Sequence, residues 1–510
     1  MNDPVNFGEL LWRSARLTPN AVALVQGEVE ARYGDLEVRV RRADALVRAL
    51  GIRAGEPVLL LLPNDWRFIE CLLGVVRAGG VATPLNVKLA DETLRYIAGH
   101  SEARVLIVHE DLAGRAADLG VETVVRVDDG WLAGIEPAGD PEPVESDARA
   151  LLMYTSGSTG VPKGVLLSHA NTWWQARSTQ RCYMLDEDDR ALITGPLYHV
   201  NALWGSLLPA LWVGASAAVM PSWTAPDMVE AVHRYRPTYT SGTPSMFTLL
   251  LDAWDAAPDR DLTSLELLVC GSAPVPEELL AALQRRLPGV DVLESYGLTE
   301  AGANVLTPRW GIHKLGSTGL PVPDVELRVV DPTDTTRDVA VDEVGELWSR
   351  SPANALGYLK QPEVTAARFL PDGWMRSGDL VRRDEQGYVF FAGRIDDMIN
   401  VGGENVYPKE VETVLLQHPA VIDVAVVPAP HRVKGQAPVA WVVARDGKVS
   451  EDELKQWFLA RGPAYAHPRR VFFIDRLPVG GTNKIDRKHL QEEASRRLPS
   501  GLGAVAGGGA

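Results

Sequence analysis

Over the N-terminal part of the chain, short apolar runs bounded by turn residues alternate with longer amphipathic stretches. Val58–Leu62, Val105–Val108, the residues around Val219, and Leu265–Val269 have strand length and apolar composition. Asp35–Leu50, Trp66–Ala78, Ala225–Tyr235 and Glu277–Leu287 carry helical patterns. Such alternation predicts α/β layers with mostly parallel sheets. Between 331 and 392 the pattern changes, and Val325–Val330, Gly345–Ser349 and Tyr388–Phe391 are short apolar strands separated by Asp/Pro/Gly turns, a small β-rich unit. From Gly393 it changes again, to strands Val421–Val427 and Val439–Val443 with helices Pro408–Gln417 and Glu451–Arg461, an α+β module. The expected organisation is therefore an α/β N-terminal domain over 1–392, a connection at 393–397, a small C-terminal domain over 398–497, and a tail over 498–510. That tail ends in PSGLGAVAGGGA, too small-sided to bury a core and expected to be disordered.

At 510 residues the chain exceeds the size at which one core stops growing, consistent with at least two domains. Its net charge of −16 argues against nucleic acid or a membrane surface as a general partner, since both call for basic patches. No apolar run approaches the length of a membrane span. The start, MNDPVNFGELLWRSARLTPN, lacks the basic-then-apolar order of a signal peptide and reads as an amphipathic helix leading into the fold. Cys71, Cys182 and Cys270 lack metal-ligand or disulfide spacing and read as buried inert thiols, which suits a reducing cytoplasm.

An anionic ligand would thus have to be met by local donors, and one segment supplies them. TSGSTGVPKG, residues 155–164, holds four hydroxyl side chains, three glycines and one lysine. Hydroxyls and lysine donate to phosphate oxygens, and glycines let backbone N–H groups approach an anion. Apolar Leu151–Tyr154 and Val165–Leu167 flank it as strands. It differs from the common nucleotide-triphosphate loop, because Lys163 precedes a glycine and no helix follows directly.

This loop resembles the phosphate-binding signature of the adenylate-forming superfamily of acyl-CoA synthetases, nonribosomal adenylation domains and beetle luciferases. Five further segments match that superfamily in its order: GPLYHV (195–200), CGSAP (270–274), YGLTE (296–300), SGDL (377–380) and GRIDDMINVGGENVYPKEVE (393–412). A lysine follows in NKIDRKHL (483–490). The resemblance implies a large N-terminal domain of layered α/β subdomains and a small mobile C-terminal lid that turns about a hinge at Asp396. It implies ATP, Mg²⁺ and the co-substrate CoA.

Roles follow by the same resemblance. Thr155, Ser156, Gly157, Ser158, Thr159, Gly160 and Lys163 would grip the triphosphate. Gly271, Ser272 and Ala273 would contact the base, Tyr296 and Gly297 would lie along the adenine, and Thr299 would bond the α-phosphate. Glu300, with Thr159, would hold Mg²⁺, for which oxygen ligands are suited. Asp379 would accept both ribose hydroxyls and Arg394 would donate to ribose or phosphate. Lys484 would be the catalytic cation over the bond forming between substrate carboxylate and α-phosphate. Asn483 stands before it where most members have glycine, and asparagine tolerates the left-handed turn better than most residues. For the thioester step the lid would bring in Gly402, Gly403 and Glu404. Arg432, Lys434, Arg469 and Arg470 are candidates for the nucleotide end of CoA.

Amino-acid-activating relatives carry an aspartate in the segment that here reads PLYHVNALWG (196–205), because a buried ammonium needs a counter-charge. This chain has no acid there, which implies a substrate without an α-amino group. His199 resembles the histidine that acyl- and aryl-CoA ligases place beside the substrate carboxyl. Acetate-specific relatives close the pocket with tryptophan at the position of Gly297. Gly297 leaves it open, while Trp204, Gly271, Ala301, Gly302 and Ala303 complete the expected lining. The reading is an AMP-forming acid–thiol ligase for a small-molecule hydrophobic acid larger than propionate, whether aromatic, alicyclic, polycyclic or fatty. Three alternatives stay open: an adenylating enzyme that hands its acyl-AMP to a carrier protein or a separate thioesterifying partner, a non-catalytic nucleotide-binding member, and a luciferase-like oxygenase.

Overall fold

The computed structural model describes residues 5–156, 161–271, 275–306, 308–314, 316–402, 404–445, 449–478, 485–498 and 502. The chain divides into two compact units. The first comprises Met1–Leu327, Trp348–Ser377 and Gly387–Val389, and the second comprises Arg328–Leu347, Gly378–Gln386 and Phe390–Ala510.

The first unit is built on two sheets. In one, strands Leu267–Gly271, Tyr239–Gly242, Arg190–Ile193, Ser216–Val219 and Val22–Gln26 follow one another as parallel neighbours. Asp291–Leu298 extends this run beside Leu267–Gly271, again parallel, and antiparallel hairpins close both edges. In the other sheet Thr123–Val127, Val105–His109, Pro57–Leu61, Val81–Pro84 and Arg149–Ser156 are parallel neighbours, and Pro162–Ser168 and Gly357–Tyr358 add antiparallel strands at the edge. Strands covered on both faces read as unbroken apolar runs, and Val58 to Leu61 are fully buried.

Helix Arg67–Arg77 is buried along its whole length, so its ionised side chains need partners, and Arg67 finds Asp65 at 2.7 Å. Glu70 receives the Arg39 guanidinium at 2.9 Å and the Trp131 indole N–H at 2.7 Å, while Arg77 pairs with buried Asp44. Glu37, on helix Tyr33–Ala49, is less well served, because its buried Oε2 has no hydrogen-bond partner among the described residues. Burial pushes its carboxyl up to about 7, against the opposing pull of Arg77 and Arg41 and with a further push from Glu9. A carboxyl whose folded pKa is raised binds its proton more tightly in the folded state, so stability falls as pH rises from the ordinary value of 4.5 towards 7. Glu37→Gln is therefore expected to raise the melting temperature at pH 8 but not at pH 5, a difference of roughly 2 kcal/mol between the two conditions. Equal shifts at both pH values would contradict this.

The second unit contains a sheet in the order Glu404–Val406, Ile399–Val401, Gly435–Ala444, Val421–His431, with Arg470–Phe473 parallel to Gly435–Ala444. Both faces are covered. Val424, Val426, Ala440 and Val442 share a core with Val411, Leu415, Leu454 and Phe458 from helices Pro408–Leu416 and Glu451–Leu459. Ala425, Val427, Val439 and Trp441 share another with Leu490 and Ala494 of helix Arg487–Arg497. Strands Glu326–Val330, Gly345–Arg350, Met375–Arg383 and Val389–Arg394 supply the β-rich segment expected around 331–392.

Two expectations need correcting. The N-terminal segment is a short 3₁₀ turn at Phe7–Glu9 and a six-residue helix at Trp12–Leu17 rather than one amphipathic helix. The Asn6 side chain caps the turn by accepting the Gly8 N–H, and although buried Phe7, Leu10 and Leu11 keep the spacing of a helical stripe, the turn ends before helix Trp12–Leu17 begins. In the tail, Leu502 is buried and accepts the Arg432 N–H while donating its own N–H to Pro430, so an apolar side chain docks there amid small residues. Residues 499–501 and 503–510 lie outside the described residues.

Candidate active site

In an open α/β sheet, ligands bind beyond the carboxyl ends of the parallel strands. In the first unit those ends carry the sequence-predicted segments. Arg190–Ile193 runs into Gly195–Val200, Leu267–Gly271 ends at the start of CGSAP, and Asp291–Leu298 runs into Thr299 and Glu300. Strand register sets Gly271 beside Ser295, and the following hairpin sets Tyr296 opposite Val305 and Gly297 opposite Ala303.

The strands on either side of the segment expected to bind phosphate form a hairpin. Arg149–Ser156 and Pro162–Ser168 pair antiparallel, with Thr155 opposite Lys163 and Ser156 opposite Pro162. Gly164 has a packing reason as well as a place in the signature. A Cβ there would lie 2.8 Å from Leu152 Cδ1 and 3.3 Å from the Tyr154 ring, so a side chain would push the hairpin apart. Tyr154 is itself anchored, with its hydroxyl 2.8 Å from His100 Nδ1.

The YGLTE hairpin is held from several sides. Gly302 has φ +67°, and a Cβ would fall 2.0 Å from Gln175 Oε1 and 3.0 Å from Ala353, so its small size is dictated by Gln175 and backbone conformation. Ala301 is fully buried and Gly297 is exposed. Thr299 and Tyr296 are half-buried. The Glu300 carboxylate is buried and accepts the Tyr358 hydroxyl at 2.8 Å, and the Glu300 carbonyl accepts the Ala355 N–H at 2.8 Å. Because Gly357–Tyr358 pairs with Val165–Leu166, the carboxylate is tied through this strand to the phosphate hairpin. Two residues before Tyr296, Glu294 accepts the Val275 N–H, and burial pushes its carboxyl up to about 7.

The GPLYHV segment is fixed by a residue that the sequence reading missed. Asn64, just past strand Pro57–Leu61, donates to the Gly195 carbonyl at 2.8 Å and accepts the Leu197 N–H at 2.8 Å. His199 is half-buried at the start of a short helical segment, Val200–Ala202. Trp204 lies in the π-helical turn Leu203–Leu207, buried, with no partner for its indole N–H among the described residues. That turn packs against Tyr239–Gly242, where the Ser206 and Ser241 hydroxyls meet at 2.8 Å and the Tyr239 hydroxyl donates to the Ser206 carbonyl at 2.7 Å.

In the second unit Asp379 is buried, 3.6 Å from the guanidinium of half-exposed Arg394. Its neighbour Gly378, in the same strand Met375–Arg383, is fixed by Glu346, which accepts the Gly378 N–H at 3.1 Å, and by the Ile395 N–H, which donates to the Gly378 carbonyl at 2.9 Å. Asp396 follows directly and is exposed. Gly402 has φ +67° and donates to the Lys434 carbonyl at 3.0 Å, and Glu404 is exposed. Arg432 donates its backbone N–H to Leu502. Arg469 packs on His467, and Arg470 pairs with Glu451 at 3.3 Å. Gly157, Ser158, Thr159, Gly160, Ser272, Ala273, Gly403 and Lys484 lie outside the described residues, as do the side chains of Ser156 and Ala303.

Cys71, Cys182 and Cys270 are buried, and burial pushes each thiol up, so none is poised as a nucleophile. No helix among the described residues is long and apolar enough to cross a membrane.

Parallel strands ending in a phosphate hairpin and a carboxylate-bearing hairpin define a nucleotide-using α/β enzyme of the adenylate-forming class. The family model for AMP-binding enzymes matches residues 11–359, and that for the AMP-binding enzyme C-terminal domain matches residues 410–484. The chain belongs to this AMP-binding enzyme family, whose members similar to it are AMP-forming acid–thiol ligases. It is 37% identical to a feruloyl-CoA synthase from Amycolatopsis sp, over 95% of this chain and 98% of that one. It is 32% identical to 4-coumarate–CoA ligase 5 of Oryza sativa subsp. japonica, over 92% and 90%. Among solved structures, the anthranilate CoA ligase AuaEII in complex with anthranoyl-AMP superposes with a TM-score of 0.89 at 28% identity, covering 96% of this chain and 98% of that one.

Proposed function

We propose that this chain activates an aromatic carboxylic acid with ATP and transfers the acyl group to CoA. The observation that carries the reading is the link from Glu300 through strand Gly357–Tyr358 to the phosphate hairpin, which gathers a cation, hydroxyls and a carboxylate in one unit. In the first step a carboxylate oxygen of the acid attacks the α-phosphorus, the bond to the β-phosphate oxygen breaks, and pyrophosphate leaves. In the second the CoA thiolate attacks the acyl carbon and AMP leaves.

Nucleotidyl transfer is mostly positioning and charge neutralisation, so donors matter more than a protein nucleophile. Thr155, Ser156, Ser158, Thr159 and Lys163 hold the triphosphate, Thr299 the α-phosphate, and Asp379 with Arg394 the ribose side. Lys484 neutralises charge at the reacting phosphorus, and the module that follows Asp396 presents it. For thioester formation the same module presents Gly402 to Glu404 instead. Mg²⁺ fits the donor set: it is a hard cation that takes one or two carboxylates together with substrate phosphates, and Glu300 is a buried carboxylate with one oxygen engaged by Tyr358. Bound there, Mg²⁺ supplies neutralisation of triphosphate charge. A cytoplasmic setting follows from the need for ATP and CoA.

The aromatic assignment rests on three supports. Segment 196–205 has no acid to pair a substrate ammonium, Gly297 is exposed, and the relatives named above are ligases of feruloyl, 4-coumarate and anthranilate substrates. His199 faces the carboxyl of the acid, and Trp204, Gly271, Ala301, Gly302 and Ala303 belong to its surroundings. Across a panel of benzoates, hydroxycinnamates, fatty acids and acetate, an aromatic acid is expected to exceed acetate in kcat/KM by about a hundredfold or more, since several apolar contacts each contribute about 1–3 kcal/mol. Acetate matching the best aromatic acid would sink the assignment.

A further inference from the structure

Tyr358 joins the two charged sides of the proposed triphosphate site. Its backbone is fixed opposite Val165, two residues past Lys163, and the neighbouring Leu359 N–H bonds the Gly164 carbonyl at 2.8 Å. Its own N–H donates to Thr365 Oγ1 at 2.9 Å, and its ring packs edge-on against Phe369 at 6.0 Å. The side chain therefore has little freedom. From that seat its hydroxyl donates to Glu300 Oε1 at 2.8 Å, and its ring face lies 5.6 Å from the Lys163 ammonium, within cation–π range.

A packing tyrosine that happens to satisfy a buried carboxylate would account for the first contact but not for the second. We propose that Tyr358 is a positioning residue for adenylation, its hydroxyl fixing the Glu300 carboxylate so that the other oxygen faces the metal and its ring seating Lys163 for the phosphates. This rests on the reading of Glu300 as the metal-side carboxylate. The two halves of the role separate by substitution. Tyr358→Phe removes the hydroxyl and keeps the ring under Lys163, whereas Tyr358→Leu removes both.

The test is Mn²⁺ binding to the enzyme–ATP complex, followed by electron paramagnetic resonance in the absence of acid, with ATP affinity at saturating metal and melting temperature measured alongside. Tyr358→Phe is expected to weaken Mn²⁺ binding by about tenfold, the scale of one hydrogen bond to a charged group, with ATP affinity within about twofold. Tyr358→Leu is expected to show the same metal defect and to lose a further several-fold in ATP affinity. A Phe variant that binds Mn²⁺ like the parent overturns the proposal even if it melts lower, because a purely structural role moves stability and not metal affinity. Glu300→Gln in the same assay separates the levels. If it weakens Mn²⁺ binding while Tyr358→Phe does not, the tyrosine role alone fails; if neither does, the assignment of Glu300 fails and takes the tyrosine role with it.

Discussion

Lys484→Ala is expected to slow acyl-AMP formation by about a hundred- to a thousandfold while leaving thioester formation from preformed acyl-AMP nearly unchanged. The size follows from the chemistry. Charge on the α-phosphate grows as the carboxylate attacks, and one preorganised cation aimed at developing charge contributes about 3–4 kcal/mol. The asymmetry follows from the second step, in which a thiolate attacks a carbonyl and a different set of residues, Gly402 to Glu404, faces the reaction. Single-turnover measurements of each half-reaction check it. Because k for adenylation falls without a matching change in substrate affinity, the loss belongs in kcat and kcat/KM alike. Equal losses in both half-reactions would mean that the lysine serves binding or folding instead.

Asp379→Ala is the second large effect, and it falls on ATP. The carboxylate is buried, and the neighbouring Gly378 in its strand is braced by Glu346 and by the Ile395 N–H, so its backbone is fixed before any ligand arrives. A carboxylate accepting two ribose hydroxyls loses two charge-assisted hydrogen bonds on truncation, each worth about 1.5–3 kcal/mol. The expected result is a rise of about a hundredfold or more in KM for ATP with the KM for the acid unchanged. The fold should survive, because the Arg394 guanidinium beside the carboxylate is half-exposed and open to water. An unchanged KM for ATP would place the ribose elsewhere.

Local features were legible in the sequence, and contacts between distant positions were not. The strands flanking TSGSTGVPKG show as apolar runs, so a segment held between two strands, with no helix directly after it, could be read from the sequence. Helix Ala225–Tyr235 matches its sequence pattern to the residue. The Tyr358–Glu300 bond spans 58 positions, and the Asn64 clamp on Gly195 spans 131. Neither pair carries a local periodicity or spacing that could announce it. Asn64 left one faint signal, a polar amide placed right after a fully apolar strand. Gly302, expected in the lining of the acyl pocket, has a positive φ that calls for glycine whatever it touches, which no local pattern announces. The N-terminal segment failed for a third reason: amphipathic spacing over a few residues cannot tell a helix from a capped turn that buries adjacent side chains.

The most direct test of the central claim is acid-dependent exchange of labelled pyrophosphate into ATP, first without CoA and then with CoA and mass analysis of the product. Exchange is expected with an aromatic acid, and its conversion to the CoA thioester with release of AMP once CoA is added. Exchange that yields acyl-AMP but no thioester would contradict the CoA step and point to a carrier protein or a separate thioesterifying partner. No exchange with any acid would contradict the adenylation chemistry itself.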